Sequence, residues 1–153
     1  MPNSGRRSIR MLLVDDDPSM LKLVRAIVER SFLDQVSVMV AEDPRVAREI
    51  IESGPLDIVI TDLEMPGVSG LEIVHAAKRR NAYTQVLMLT GHSSVNSLLD
   101  AMELGATDYL LKPLDEDEFV TVLSETLNRL ARWRKALSGT YAARDKAAPA
   151  IAS

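Results

Sequence analysis

Three carboxylates, one hydroxyl and one ammonium stand where apolar runs of this chain end. Asp15 and Asp16 follow Met11-Leu12-Leu13-Val14, and Asp62 follows Ile58-Val59-Ile60-Thr61. Thr90 follows Val86-Leu87-Met88-Leu89, and Lys112, with Pro113 behind it, follows Tyr109-Leu110-Leu111. If those runs are neighbouring buried strands, all five groups meet at one sheet edge. Two carboxylates about 4 Å apart repel by roughly 4 kcal/mol at an effective dielectric of about 20, so converging acids need a cation or raised pKa values. Hard oxygen donors without Cys or clustered His point to Mg²⁺ or Mn²⁺, which combine one or two carboxylates with retained waters and a phosphate. A cation there lets a dianionic phosphoryl group approach an aspartate, and carboxylates do act as nucleophiles that form acyl phosphates. Lys112 suits a phosphate oxygen as a point charge, and Thr90 can donate its hydroxyl to another. Gly91, with no side chain, leaves the approach open.

The elements that must position these groups are legible as an alternation of apolar runs with helical patterns, the signal for βαβ units around a parallel sheet. Residues 9–14, 36–41, 58–61, 86–89 and 107–111 read as strands. Asp17-Pro18 and Asp43-Pro44 each place a capping acid before a proline suited to the first helical position. Met20, Leu23, Val24, Ile27 and Val28 then recur at helical spacing to about Ser31, and Val46, Ala47, Ile50 and Ile51 do so until Gly54-Pro55. Leu71, Val74 and Ala77 mark a third helix from about Ser69 to Arg80, and Val95, Leu98, Leu99 and Met102 a fourth, ended by Gly105. Asp115 and Glu118 have capping-box spacing and open a last helix that runs past Leu130. The expected fold is α/β: a (βα)5 doubly wound, five-stranded parallel sheet in a three-layer sandwich. In such sheets ligands bind at the carboxyl ends of the strands, where the five groups lie.

A chain of 153 residues has room for one domain with a substantial core, and 46% hydrophobic with 26% charged residues fits a globular protein. The absence of Cys excludes disulfides and thiolate metal sites and suits a reducing compartment. No apolar stretch has the length of a signal peptide or approaches the roughly 18 residues of a membrane span, so a cytoplasmic location is expected. Residues 11–128 hold nine Lys/Arg against 21 Asp/Glu, a net of −12, whereas residues 129–153 hold six Lys/Arg against one Asp, a net of +5. An acidic body argues against nucleic-acid binding by the domain itself. The basic last stretch reads as a solvated helix face, with no membrane contact expected.

These features resemble the receiver domain of bacterial response regulators, the CheY-like family of two-component and phosphorelay signalling. The resemblance covers residues 9 to about 130 and rests on Val14-Asp15-Asp16, Thr61-Asp62-Leu63-Glu64-Met65-Pro66-Gly67 with Gly70, Thr90-Gly91, and Tyr109-Leu110-Leu111-Lys112-Pro113. It implies a flavodoxin-like strand order 2-1-3-4-5. It also implies that Asp62 accepts a phosphoryl group from a phosphohistidine of a sensor histidine kinase or phosphotransfer protein, in a Mg²⁺-dependent reaction. On this resemblance Asp16, Asp62 and the backbone carbonyl of Glu64 ligate the metal directly, and Asp15 acts mainly through a metal-bound water. Thr90 and Lys112 bind the phosphoryl oxygens, Tyr109 is an aromatic switch, and the Lys112-Pro113 bond is cis. Positions two after Asp62 and two after Thr90, here Glu64 and His92, are candidates for tuning phosphate lifetime. Glu64 is expected to pair with Lys112 or His92. The switched surface is formed by the fourth helix, fifth strand and fifth helix, and serves a downstream effector protein or an output domain.

Two rival readings remain open at this point. Asp15-Asp16-Asp17 contains the D-x-D spacing of haloacid-dehalogenase-type phosphatases, with Asp15 as nucleophile and Asp17 as acid/base; a phosphate-independent pseudo-receiver adaptor is the other. Taken alone, Asp17 is a helix cap and His75 a surface residue. The expected organisation is a disordered start at 1–8, a receiver domain at 9–130 and a helical extension with a flexible tail at 131–153. Val120, Leu123, Leu127, Leu130 and Leu137 recur at three- and four-residue steps, with Arg134 in the remaining position. Leu130 to Leu137 are expected to project beyond the body with Leu130, Trp133 and Leu137 exposed, suiting a homodimer, and fraying is expected from Ser138.

Overall fold

Short runs of apolar and β-branched residues form β1 (Ile9–Val14), β2 (Val36–Ala41), β3 (Ile58–Thr61), β4 (Gln85–Thr90) and β5 (Asp108–Leu111) in this computed structural model. Residues 7–91 and 94–151 are described, with side chains as far as residue 144; residues 1–6 of the expected disordered start, and His92, lie outside them. All four strand pairings are parallel, in the order β2-β1-β3-β4-β5, so the chain reverses its winding between β1 and β3. β3 is Ile-Val-Ile-Thr and buried at every position, as a central parallel strand covered on both faces requires.

Five helices connect and cover the strands: α1 (Pro18–Phe32), α2 (Pro44–Ser53), α3 (Gly70–Arg80), α4 (Val95–Glu103) and α5 (Glu116–Ile151). Both Asp-Pro pairs work as the sequence indicates. Asp17 Oδ1 accepts the Ser19 amide at 2.9 Å and Asp43 Oδ1 the Arg45 amide at 2.8 Å, satisfying amides with no partner inside the helix. The Glu118 amide donates to Asp115 Oδ1 at 3.1 Å, which supplies the same service to α5. α1 runs one residue beyond Ser31, burying Phe32, and stops where Leu33 turns to φ 44°.

The core is two apolar layers separated by the sheet. Leu21, Val24, Ile27 and Val28 of α1 pack with Phe119, Leu123 and Leu130 of α5 on one face of the strands. Ala47 and Ile51 of α2, Ile73, Val74 and Ala77 of α3, and Ala101 of α4 cover the other. This is the expected three-layer α/β sandwich. No helix among the described residues is long and apolar enough to cross a membrane.

α5 departs from expectation at two places. Leu130 is fully buried rather than exposed, and Arg134 pairs with buried Asp57 at 2.7 Å, so the body holds the helix one turn further than the apolar spacing indicated. Trp133 on the outer side of that turn, and Leu137 and Tyr141 beyond it, remain exposed. The helix continues through Ser138 and Gly139 to Ile151. Alanines at 142, 143, 147 and 148 favour that continuation.

Candidate functional site

Strand register sets the site. Val14 of β1 lies opposite Thr61 of β3, so the next residues, Asp15 and Asp62, emerge side by side at the carboxyl edge, where the winding reverses. The Asp62 amide donates to the Val14 carbonyl at 3.0 Å, tying the two strand ends together. Thr90 and Leu111 are likewise opposite each other, and the Lys112 amide donates to the Thr90 carbonyl at 3.0 Å. The expected meeting of five groups from four strand ends is what the topology produces.

Carboxylate oxygens of Asp15, Asp16 and Asp62 lie within 4.8 Å of one another, with Asp15 and Asp62 buried and Asp16 exposed. Lys112 reaches across from β5, its Nζ donating to Asp15 Oδ2 at 2.7 Å and to Asp62 Oδ2 at 3.1 Å. Burial raises the Asp15 pKa, and the neighbouring Asp62 charge adds to it; the Lys112 and Asp17 hydrogen bonds oppose the rise without cancelling it. Burial pushes the Lys112 ammonium down, but its bonds to Asp15 and Asp62 outweigh that and hold its pKa above the ordinary value. Lys112 is therefore charged at neutral pH, one cation against three acids. The remaining negative charge and the all-oxygen donor set fit a hard divalent ion such as Mg²⁺.

Glu64 is exposed, and its amide donates to Asp62 Oδ1 at 3.3 Å, which brings its backbone beside the nucleophile candidate. Its expected pairing with Lys112 is not formed: Lys112 is committed to Asp15 and Asp62, which are buried where Glu64 is exposed. Thr90 is buried at the edge, and Tyr109 is half-buried against the apolar layer under α2, α3 and α4. The Lys112-Pro113 bond is cis. Gly91 lies against the Lys112 stem, where an added Cβ would meet Lys112 Cβ at 3.5 Å, an ordinary contact. Asp17 and His75 have the bland placements expected of them, a helix cap and an exposed helix position.

One residue of the site carried little sequence signal beyond its place in the motif. Gly70 opens α3 behind the Ser69 cap, and a Cβ on it would fall 2.1 Å from the Asp62 carbonyl oxygen and 2.7 Å from Leu63 Cα. Only a bare α-carbon lets α3 begin directly against the Asp62 backbone. Gly70→Ala should therefore displace the loop after β3, destabilise the protein by about 2 kcal/mol through overpacking, and weaken Mg²⁺ binding about tenfold. Thermal melts across a Mg²⁺ titration check both effects.

Comparison with known proteins agrees with this geometry. Residues 11–124 match the family described as response regulator receiver domain. The response regulator protein PilR of Pseudomonas aeruginosa is 35% identical over 106 residues, covering 69% of this chain and 23% of PilR. The transcriptional regulatory protein FixJ of Azorhizobium caulinodans is 32% identical over 126 residues, covering 81% of this chain and 57% of FixJ. The chain thus spans well under two thirds of the length of either relative. The crystal structure of a response regulator receiver domain protein from Clostridium thermocellum superposes with a TM-score of 0.68 at 28% identity, over 84% of this chain and 98% of that one. With three acids, a threonine and a lysine from four strand ends brought to one edge of a 2-1-3-4-5 sheet, and the family matched across three quarters of the chain, this chain belongs to the response regulator receiver domains of two-component signal transduction.

Proposed function

We propose that Asp62 is the phosphoacceptor of this receiver and that residues 9–130 form the unit that carries the reaction. The observation that supports this best is the cluster of Asp15, Asp16 and Asp62 within 4.8 Å, bridged by Lys112. Asp62 attacks the phosphorus of a phosphohistidine on a sensor kinase or phosphotransfer protein; a P–O bond forms, the P–N bond breaks, and the histidine nitrogen leaves with the electron pair and takes up a proton. Asp16, Asp62 and the Glu64 carbonyl, with Asp15 beside them, would hold Mg²⁺, which would supply the positive charge that offsets the converging acids. As the phosphoryl group arrives, Lys112 exchanges its bond to Asp62 for one to a phosphoryl oxygen, and the Thr90 hydroxyl donates to another. Tyr109, on the same strand as Lys112, reports the change to the α4–β5–α5 surface. The free energy required is only enough to bias two conformations of that surface by a few kcal/mol.

On this reading the chain is a cytoplasmic switch rather than a turnover enzyme, with self-phosphorylation from small donors and autodephosphorylation as its only chemistry. The phosphatase alternative is not favoured: Asp17, its required acid/base, is spent on capping α1. Incubation of the parent chain with acetyl phosphate should add one phosphoryl mass in the presence of Mg²⁺ and none with excess chelator. Intact-mass measurement decides this, and a null result with Mg²⁺ returns the reading to a pseudo-receiver.

Glu64 and His92 set the lifetime of the phosphorylated form. Exchanging both for Ala should change the rate of autodephosphorylation, followed by loss of the phosphoryl mass over time, without preventing phosphorylation. The downstream partner is an effector protein or an output domain. The stripe of Trp133, Leu137 and Tyr141, at steps of four residues on α5, pairs with a second copy. Light scattering should show a dimer that Trp133→Ser with Leu137→Ser converts to monomer; monomers in both cases would exclude this pairing.

A further inference from the structure

The opposite edge of the sheet carries an ion pair, buried on its carboxylate side and partly exposed on its guanidinium side, that the phosphoryl site does not use. Asp57 immediately precedes β3 and is 4% exposed. Its Oδ2 accepts the Arg10 backbone amide at 2.8 Å and its Oδ1 accepts Arg134 Nη2 at 2.7 Å. The Asp57 amide donates to the Arg10 carbonyl and its own carbonyl accepts from the Gln85 amide, both at 2.9 Å, so its backbone is fixed to the entrances of β1 and β4. On α5, Arg129 Nη1 reaches Gln85 Oε1 at 3.4 Å. Arg129 and Arg134 thus flank the fully buried Leu130, and both bind the amino edge of the sheet.

We propose that Asp57 and Arg134 form a clasp that makes residues 130–134 part of the body and fixes the direction in which the rest of α5 leaves it. This goes beyond phosphoacceptor chemistry and does not depend on it. The physical reason is asymmetric. If the helix detached at Arg134, the Asp57 carboxylate would keep one backbone donor but lose its only counter-cation among the described residues, in a buried position. Peeling of the extension is therefore opposed at its root. An unsupported helix of the remaining length is marginal in water, so the fixed root decides whether residues 135–144 behave as a continuation of the body or as a hinged tail. Through β3, the four residues between Asp57 and Asp62, hydrogen-bonded on both sides, the root of this strut is seated on the strand that carries the phosphoacceptor candidate. A segment or partner attached to the extension is then held at a set orientation to the sheet.

Amide hydrogen exchange on the full chain tests the clasp. Arg134→Gln should speed exchange across residues 131–141 by at least about tenfold while β3 and α1 keep their protection. Asp57→Asn should do the same, the double variant should exchange no faster than Arg134→Gln alone, and Arg134→Lys should restore part of the protection. Phosphorylation of Asp62 by acetyl phosphate should be unchanged in Arg134→Gln, which separates this proposal from the proposed function. Exchange across 131–141 within about twofold of the parent in Arg134→Gln would overturn the clasp. So would a uniform loss of protection in body and extension together, since the pair would then serve general stability. If Asp57→Asn does not fold, the comparison of Arg134→Gln with Arg134→Lys decides alone.

Discussion

Asp62→Asn should gain no phosphoryl group under conditions that convert the parent chain, and should remain folded. The amide is near-isosteric with the carboxylate, and its oxygen can still accept from Lys112 Nζ or from the Glu64 amide, the donors to the Asp62 carboxylate. It removes the nucleophilic charge and one of the three repelling acids, so the loss of chemistry comes without a loss of core. Intact-mass measurement after acetyl phosphate and Mg²⁺ reads the result directly. A phosphoryl group on the Asp62→Asn chain would move the nucleophile to Asp15 and restore the phosphatase reading.

Lys112→Ala should destabilise the metal-free protein by about 3 kcal/mol, because it leaves Asp15 and Asp62 buried and adjacent without their shared cation. Asp15→Asn should act in the opposite direction and raise the metal-free melting temperature. The signs follow from the pKa directions. The Asp15 pKa is raised in the fold, so its favourable contribution is present below its unfolded pKa and lost as pH rises through the folded one; at neutral pH its charge is a burden. The Lys112 pKa is also raised, so its contribution is present at neutral pH and lost only as pH climbs through its folded value. Mg²⁺ should recover part of what Lys112→Ala loses, since it supplies the missing positive charge. In the parent chain it should stabilise by about 1.4 kcal/mol at ten times its Kd. Melting curves at neutral pH with chelator and with millimolar Mg²⁺ check the set; a parent melting temperature insensitive to Mg²⁺ would remove the metal from the mechanism.

Much of this was legible before folding because local patterns carried it. Asp17-Pro18 and Asp43-Pro44 announce helix starts through capping chemistry confined to a few residues. Ile58-Val59-Ile60-Thr61 announces a strand buried on both faces because no polar position interrupts it. Once alternating strands and helices imply a parallel sheet, residues at strand ends must share an edge, so Asp15, Asp62, Thr90 and Lys112 could be grouped from position alone.

What the sequence left undecided is what depends on distance across the fold. That Lys112 bridges Asp15 and Asp62 instead of meeting Glu64 follows from the depth of each carboxylate relative to β5, which no spacing records. The need for glycine at position 70 comes from α3 starting against the Asp62 backbone. The body reaches further along α5 than helix periodicity indicates, because periodicity assigns Arg134 a face but not a partner. Its partner, Asp57, lies 77 residues earlier and becomes a counter-ion only when β3 and α5 pack on the same sheet. Periodicity along one element determines which face is apolar; where that face stops being covered is decided by the edge of the sheet beneath it, and only the tertiary structure contains that edge.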